Sequence, residues 1–444
     1  MNDETPFGRA VPVPARRLAR LSRIGSMAAG VAGNMALSGV VSYSKGQRPS
    51  MRDLLLKPSN VERIADELAR MRGAAMKLGQ LISMDTGEVL PPELSRIMAR
   101  LRAQADFMPP AQLKQVLAAE WPQGWLQEFA HFDVRPIAAA SIGQVHRAKL
   151  KDGRDVAVKV QYPGVAKSID SDVANVAALI RISGLLPKGF EIDDYVEEAR
   201  KQLHEETDYA AEAEHLQRFR ALLDGDARYG LPDFHADWST RNILTMTYLP
   251  SRDIEGAVAL DQVARDRMAS DLVDLMLREL FEFRLMQTDP NFANYRFDPD
   301  TEQLILLDFG ATRHLGETLV AQYRRLMRAG LSHDRAALRE AAIEIGFFLE
   351  STETRHAERI LDMMELVFGA ITRSPLYAFG DPELSRAMNR EGEALSRDGF
   401  IPPPLPIDVL FLQRKFAGIF LLAAKLQAHV PVAELLERHL AEPQ

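Results

Sequence analysis

Apolar residues along this chain fall first on a helical period and later on a period of two. Val61, Ile64, Leu68, Met71, Ala75, Leu78 and Ile82 recur at steps of three and four, one stripe of an amphipathic helix. Lys77 and Gln80 lie off that stripe one turn apart and share a second face. On spacing alone that face reads as solvated. Gly79 weakens the helix beside them and suggests close approach of another backbone. Met108-Pro109-Pro110 opens a further helix. Val156, Val158 and Val160 then alternate with Ala157, Lys159 and Gln161, a strand with its valines on one face and Lys159 on the other. Asp152-Gly153 signals a hairpin back to the strands around 138–148. Residues 205–213 read as an acidic helix and 242–249 as a strand. From there the period is helical over 260–283, 319–329, 335–346, 354–368, 382–395 and 409–426.

These patterns predict an α+β, two-lobed fold. Residues 1–50 form a flexible or amphipathic segment and 51–130 a helical extension. Residues 131–249 form a lobe built on a mixed sheet, and 250–444 a mostly helical lobe. A length of 444 residues fits two or three domains. The hydrophobic fraction of 46% and charged fraction of 26% are those of an ordinary globular protein. A net charge of −8 argues against a nucleic-acid partner. The absence of cysteine excludes disulfides, thiolate catalysis and zinc-thiolate sites, and the ten His show no metal-ligand spacing.

The first fifteen residues, rich in Pro and polar side chains, are expected to be disordered. Arg16, Arg17, Arg20 and Arg23 precede an uncharged stretch, 24–41, diluted by Gly, Ser and Asn. It reads as a surface or packed helix, a membrane-contacting helix or a signal segment, in that order of preference. The apolar run 416–424 is too short to cross a bilayer.

Two short runs carry the chemistry. Asp289 stands five residues before Asn294, and Asp308-Phe309-Gly310 follows the apolar run 304–307. Upstream, Val156-Ala157-Val158-Lys159 is a strand ending in Lys. Each has a plain alternative: an Asp-Pro turn, a strand with one exposed Lys, a solvated acidic face where Asp208 and Glu212 lie one turn apart. Their serial order is that of the protein-kinase signature. Phosphoryl transfer needs charge neutralisation and positioning more than covalent help, and Asn and Asp are hard oxygen ligands for magnesium. Two kinase features are missing. No G-x-G-x-x-G loop precedes Lys159; Ala138, Ala139, Ala140 and Ser141 stand in its place. No Ala-Pro-Glu follows Asp308, and 311–315 leads almost directly into a helix, so docking of a protein substrate in the usual way is not expected.

With Lys77-Leu78-Gly79-Gln80 and Glu206-Thr207-Asp208, these features resemble the AarF/UbiB family of atypical kinase-like proteins over about residues 60–430. Met286-Gln287-Thr288-Asp289-Pro290-Asn291 resembles its coenzyme Q branch, where Asn291-Phe292-Ala293 replaces the His-Pro-Gly of other branches. The resemblance implies that Lys77 and Gln80 belong to a K-x-G-Q motif on an extension packed across the site. Glu206 and Asp208 would be the E-x-D pair facing it. Lys159 would meet the phosphates and pair with Glu212. Ala138, Ala139, Ala140 and Ser141 would cover the nucleotide, and Thr247 and Leu249 would leave adenine contacts to the backbone. Asp289 would be the catalytic carboxylate, with Asn294 and Asp308 holding Mg2+ or Mn2+.

The function implied is an ATP/ADP-binding atypical kinase or ATPase supporting ubiquinone biosynthesis. Its partners would be polyprenylated quinone intermediates or other lipid and quinone-biosynthesis proteins. Its place would be cytoplasmic, peripheral on the inner membrane, with a homodimer compatible. The alternative is a nucleotide-gated scaffold or chaperone without obligatory phosphoryl transfer. A third reading is a kinase of a protein or small molecule, which requires the Lys77 helix to move aside.

Overall fold

The computed structural model describes residues 7–10, 68, 71–85, 105–183 and 192–441. The chain divides into two compact units, Met1–Glu214 with Asp233–Tyr248 and His215–Pro232 with Leu249–Gln444. The helix Tyr209–Leu222 is continuous in sequence across that division.

In the first unit the valine alternation forms the strand Asp155–Gln161, flanked by antiparallel strands Gly143–Leu150 and Ile243–Thr247. Phe129–Phe132 extends the sheet, and Ala138–Ala139 also pairs with Gly143–Leu150. The expected hairpin closes with Leu150 N–H donating to Arg154 and Gly153 N–H to Leu150. Val156, Val158 and Val160 are fully buried, packed with Leu113 and Leu117 of helix Pro110–Glu120 and with Trp121, Trp125 and Phe129. Trp121 stacks on Phe129 at 5.4 Å and meets Trp238 edge-on at 5.2 Å, which uses all three tryptophans of the chain in one aromatic cluster.

Helix Arg72–Asp85 packs on helices Val165–Ser183 and Asp193–Glu206. Leu68, Met71, Ala75 and Leu78 are buried, as the stripe requires. Ala74, Lys77 and Leu81 are buried too, so Lys77, expected to be solvated, is covered. A close backbone approach occurs at Gly73, where a Cβ would lie 2.9 Å from the Ser141 carbonyl oxygen. Two further expectations are corrected. Phe7–Ala10 is not disordered; it pairs in parallel with Ala105–Phe107. Residues 205–213 are not one helix: Asp193–Glu206 ends, and Asp208 caps Tyr209–Leu222 by accepting Ala211 N–H at 3.1 Å. A free carboxylate that bonds a first-turn amide favours a new helix start over continuation. Val61, Ile64 and the stretch 24–41 lie outside the described residues.

In the second unit Asp261 caps helix Gln262–Arg278, accepting Ala264 N–H at 2.9 Å. That helix widens into a π turn, Glu279–Phe283, and stops at left-handed Arg284. A four-stranded sheet runs Tyr229–Gly230, Leu304–Leu306, Tyr295–Phe297, Arg252–Asp253, and Leu285–Gln287 pairs with Thr312–His314. The Asp289 loop thus leaves one strand and enters another, and Asp308 follows a third. Helices Glu317–Leu331, Arg335–Ile345, Thr354–Thr372, Glu383–Arg397 and Ile407–Lys425 match the helical periods in the sequence. Among the described residues no helix is long and apolar enough to cross a membrane.

Candidate active site

Lys159 sits on a central strand whose neighbours remove its water. Its ammonium donates to both Glu212 oxygens, at 2.7 and 2.9 Å, and lies 5.2 Å from the Tyr209 ring. Both ionic side chains are buried. A charge taken out of water is tolerated only when paired, and a two-oxygen pair meets that demand. Asp208, the other carboxylate on that helix face, is exposed and used as the cap.

The Ala-rich loop is a tight turn in which Ala140 N–H donates to the Gly143 carbonyl at 2.9 Å. Ser141 Oγ donates to Glu206 Oε2, while Glu206 Oε1 takes Lys77 Nζ at 2.5 Å. Lys77 is 5% exposed. One carboxylate therefore ties the extension helix to the loop. Of the E-x-D pair only Glu206 makes this contact. Gln80 is on the same helix as Lys77, and its side chain lies outside the described residues. Thr247 donates its N–H to the Asp233 carbonyl at 2.9 Å, and its hydroxyl lies 3.1 Å from His235 Nε2. Leu249 accepts the Ser251 hydroxyl on its carbonyl, at 3.1 Å.

In the second unit Asn294 Nδ2 donates to the Asp289 carbonyl at 3.1 Å and to Asp289 Oδ2 at 3.3 Å. That orientation leaves the amide oxygen of Asn294 as the hard donor, which suits magnesium. Asp308 Oδ1 accepts Gly310 N–H at 3.0 Å, and Phe309 is buried against Phe219 at 5.0 Å. Thr288 donates its N–H and its hydroxyl to the Ala311 carbonyl, at 2.9 and 2.8 Å, tying the Asp289 loop to the segment after Asp308. Among the described residues no cluster of three or more His, Asp or Glu is placed to hold a metal. Two oxygen donors of the kind Asn294 and Asp308 offer would suit magnesium, which keeps waters and takes its remaining oxygens from phosphates.

Sequence reasoning missed the support behind this loop. Helix Ile407–Lys425 brings Arg414 Nη2 to 2.6 Å from Asp289 Oδ1. The next residue, Lys415, is fully buried and reaches Glu279 at 2.8 Å, the Gln287 carbonyl at 2.9 Å and the Tyr295 hydroxyl at 2.9 Å. Burial alone would lower the pKa of this ammonium, but Glu279 and Tyr295 carry it above its ordinary value. One turn later a Cβ on Gly418 would lie 2.3 Å from Pro290 Cβ, so the helix backbone rests directly on the loop. The available signal was Arg414-Lys415, adjacent cations in the middle of a largely apolar helix.

A buried strand Lys paired to a helix Glu, on an α+β scaffold that also carries an Asp–Asn loop and Asp-Phe-Gly, defines a kinase-like phosphotransferase. The ABC1 atypical kinase-like domain matches residues 100–342, and the chain belongs to that family. It is 38% identical over 97% of its length to the mitochondrial atypical kinase COQ8 of Saccharomyces cerevisiae, covering 86% of that protein. It is 36% identical to the mitochondrial atypical kinase COQ8B of Danio rerio, over 94% of this chain and 67% of the relative. Its fold is similar to that of Rv3197, solved in complex with erythromycin, from Mycobacterium tuberculosis. The TM-score is 0.60 and the identity 21%, over 85% of this chain and 95% of that one.

Proposed function

We propose that this atypical kinase binds ATP or ADP with magnesium and acts in ubiquinone biosynthesis at a membrane surface. The observation that carries the nucleotide reading is the buried Lys159–Glu212 pair, a kinase arrangement for aligning phosphates. Asn294 and Asp308 would hold the metal, which when bound neutralises phosphate charge. Asp289 would orient the nucleophile. Ala138, Ala139, Ala140 and Ser141 would cover the nucleotide, with Thr247 and Leu249 at the adenine. Lys77, Gln80, Glu206 and Asp208 would govern access from the extension. The likeness to COQ8 proteins supports the quinone role.

The test has two parts. Calorimetry with Mg·ADP should give binding for wild type and none for Lys159→Met or Asp308→Ala variants that still fold. In a strain lacking this protein, wild type should restore the quinone profile and Asp289→Asn should not. Full rescue by Asp289→Asn with nucleotide binding retained would instead select the nucleotide-gated scaffold.

A further inference from the structure

The carboxylate of Asp289 is held from behind as well as from its own loop. Oδ1 takes Arg414 Nη2 at 2.6 Å, whereas among the described residues Oδ2 has the longer 3.3 Å contact to Asn294. Both side chains of the ion pair are largely buried, 14% exposed for Arg414 and 20% for Asp289. Water therefore screens the pair weakly, and a charge-assisted bond of this length sets a side-chain angle firmly.

The helix carrying Arg414 has little freedom against the loop. Lys415 bonds the Gln287 carbonyl two residues before Asp289 and the Tyr295 hydroxyl six residues after it. Gly418 accepts Pro290 at backbone distance, and any side chain there would collide. Arg414, Lys415 and Gly418 thus grip the loop from Gln287 to Tyr295 at four places.

We propose that Arg414 is a positioning residue for phosphoryl transfer. It fixes one oxygen of Asp289 so that the other faces the attacking hydroxyl or water. This rests on the assignment of Asp289 as the nucleophile-orienting carboxylate. Arg414 acts through Asp289 and is not needed to bind nucleotide. Its loss should lower kcat without changing KM for ATP, since a carboxylate free to rotate misplaces the nucleophile at a cost of about 100-fold.

Turnover of labelled ATP by the full chain, in single-turnover and steady-state form, tests this. Arg414→Met should lower kcat about 100-fold with KM for ATP and Mg·ADP affinity within about twofold of wild type. Arg414→Lys, which keeps the charge but loses the fork, should lie about tenfold below wild type. In an Asp289→Asn background Arg414→Met should add less than about twofold, because the group it positions is gone. A merely structural role would lower turnover equally in both backgrounds, and that result overturns the proposal. So does wild-type kcat in Arg414→Met. If that variant does not fold, Arg414→Lys decides, and unchanged kcat overturns the proposal. Absence of turnover in wild type would sink the functional reading itself, a distinguishable outcome.

Discussion

Lys415 carries a large local stake in stability. Its ammonium and the Glu279 carboxylate are both about as buried as side chains become, 1% and 2% exposed. Lys415→Met would strand Glu279 without its counter-charge and should cost about 3–5 kcal/mol, read as a fall in the urea midpoint. Adding Glu279→Leu should recover part of that loss, because two apolar groups need no partner. His146 stakes stability on pH instead. Met108 N–H donates to Gln144 Oε1, Gln144 Nε2 donates to His146 Nε2, and His146 Nδ1 donates to the Asp133 carbonyl. Every donor in that buried chain has its acceptor only if the imidazole is neutral. Burial lowers its pKa to about 4 despite the opposing pull of Asp133. A depressed folded-state pKa means the unfolded chain binds the proton first as pH falls. The stabilisation, about 3 kcal/mol by linkage, is therefore complete above pH ~6.5 and lost as pH falls towards 4. Urea midpoints at pH 7 and 4.5 should diverge in wild type and much less in His146→Gln.

At the scale of elements, the Ala-rich loop is the informative departure from ordinary kinases. Glycines let backbone wrap phosphates, whereas Ala140 lies in a short turn closed onto Gly143. Ala140→Gly should change nucleotide preference, with tighter ADP binding; equal ADP affinity by calorimetry would refute the account. Helix Ile407–Lys425 was recognisable as a helix from its apolar spacing, and its ends came within two residues of 409–426. What it does was not recognisable. Gly418 looks like a helix weakness until Pro290 is seen against it. The burial of Lys77 was equally hidden, since an off-stripe Lys on an amphipathic helix is ordinarily solvated. Only Glu206, on another helix, explains it.

For the whole molecule, nucleotide binding and stability are linked. A ligand that binds only the folded chain adds about 2.7 kcal/mol at a hundred times its Kd. Mg·ADP should raise the melting temperature of wild type by several degrees and leave Lys159→Met and Asp308→Ala unmoved. No shift in wild type would count against nucleotide binding altogether.

The order Lys159, acidic stretch, Asp289, Asn294, Asp308 was visible in the linear chain, and with it the kinase-like class. Helices and strands were visible too, because period and capping act over a few residues. Spacing left open which carboxylate meets Lys159, and the family resemblance named Glu212; tertiary structure alone decided that Lys77 is buried and that Arg414 stands behind Asp289. Those choices depend on contacts between residues distant in sequence, such as Asp289 and Arg414, 125 positions apart. A side chain's charge is written in sequence; whether water or a carboxylate neutralises it is settled only when distant elements exclude the water.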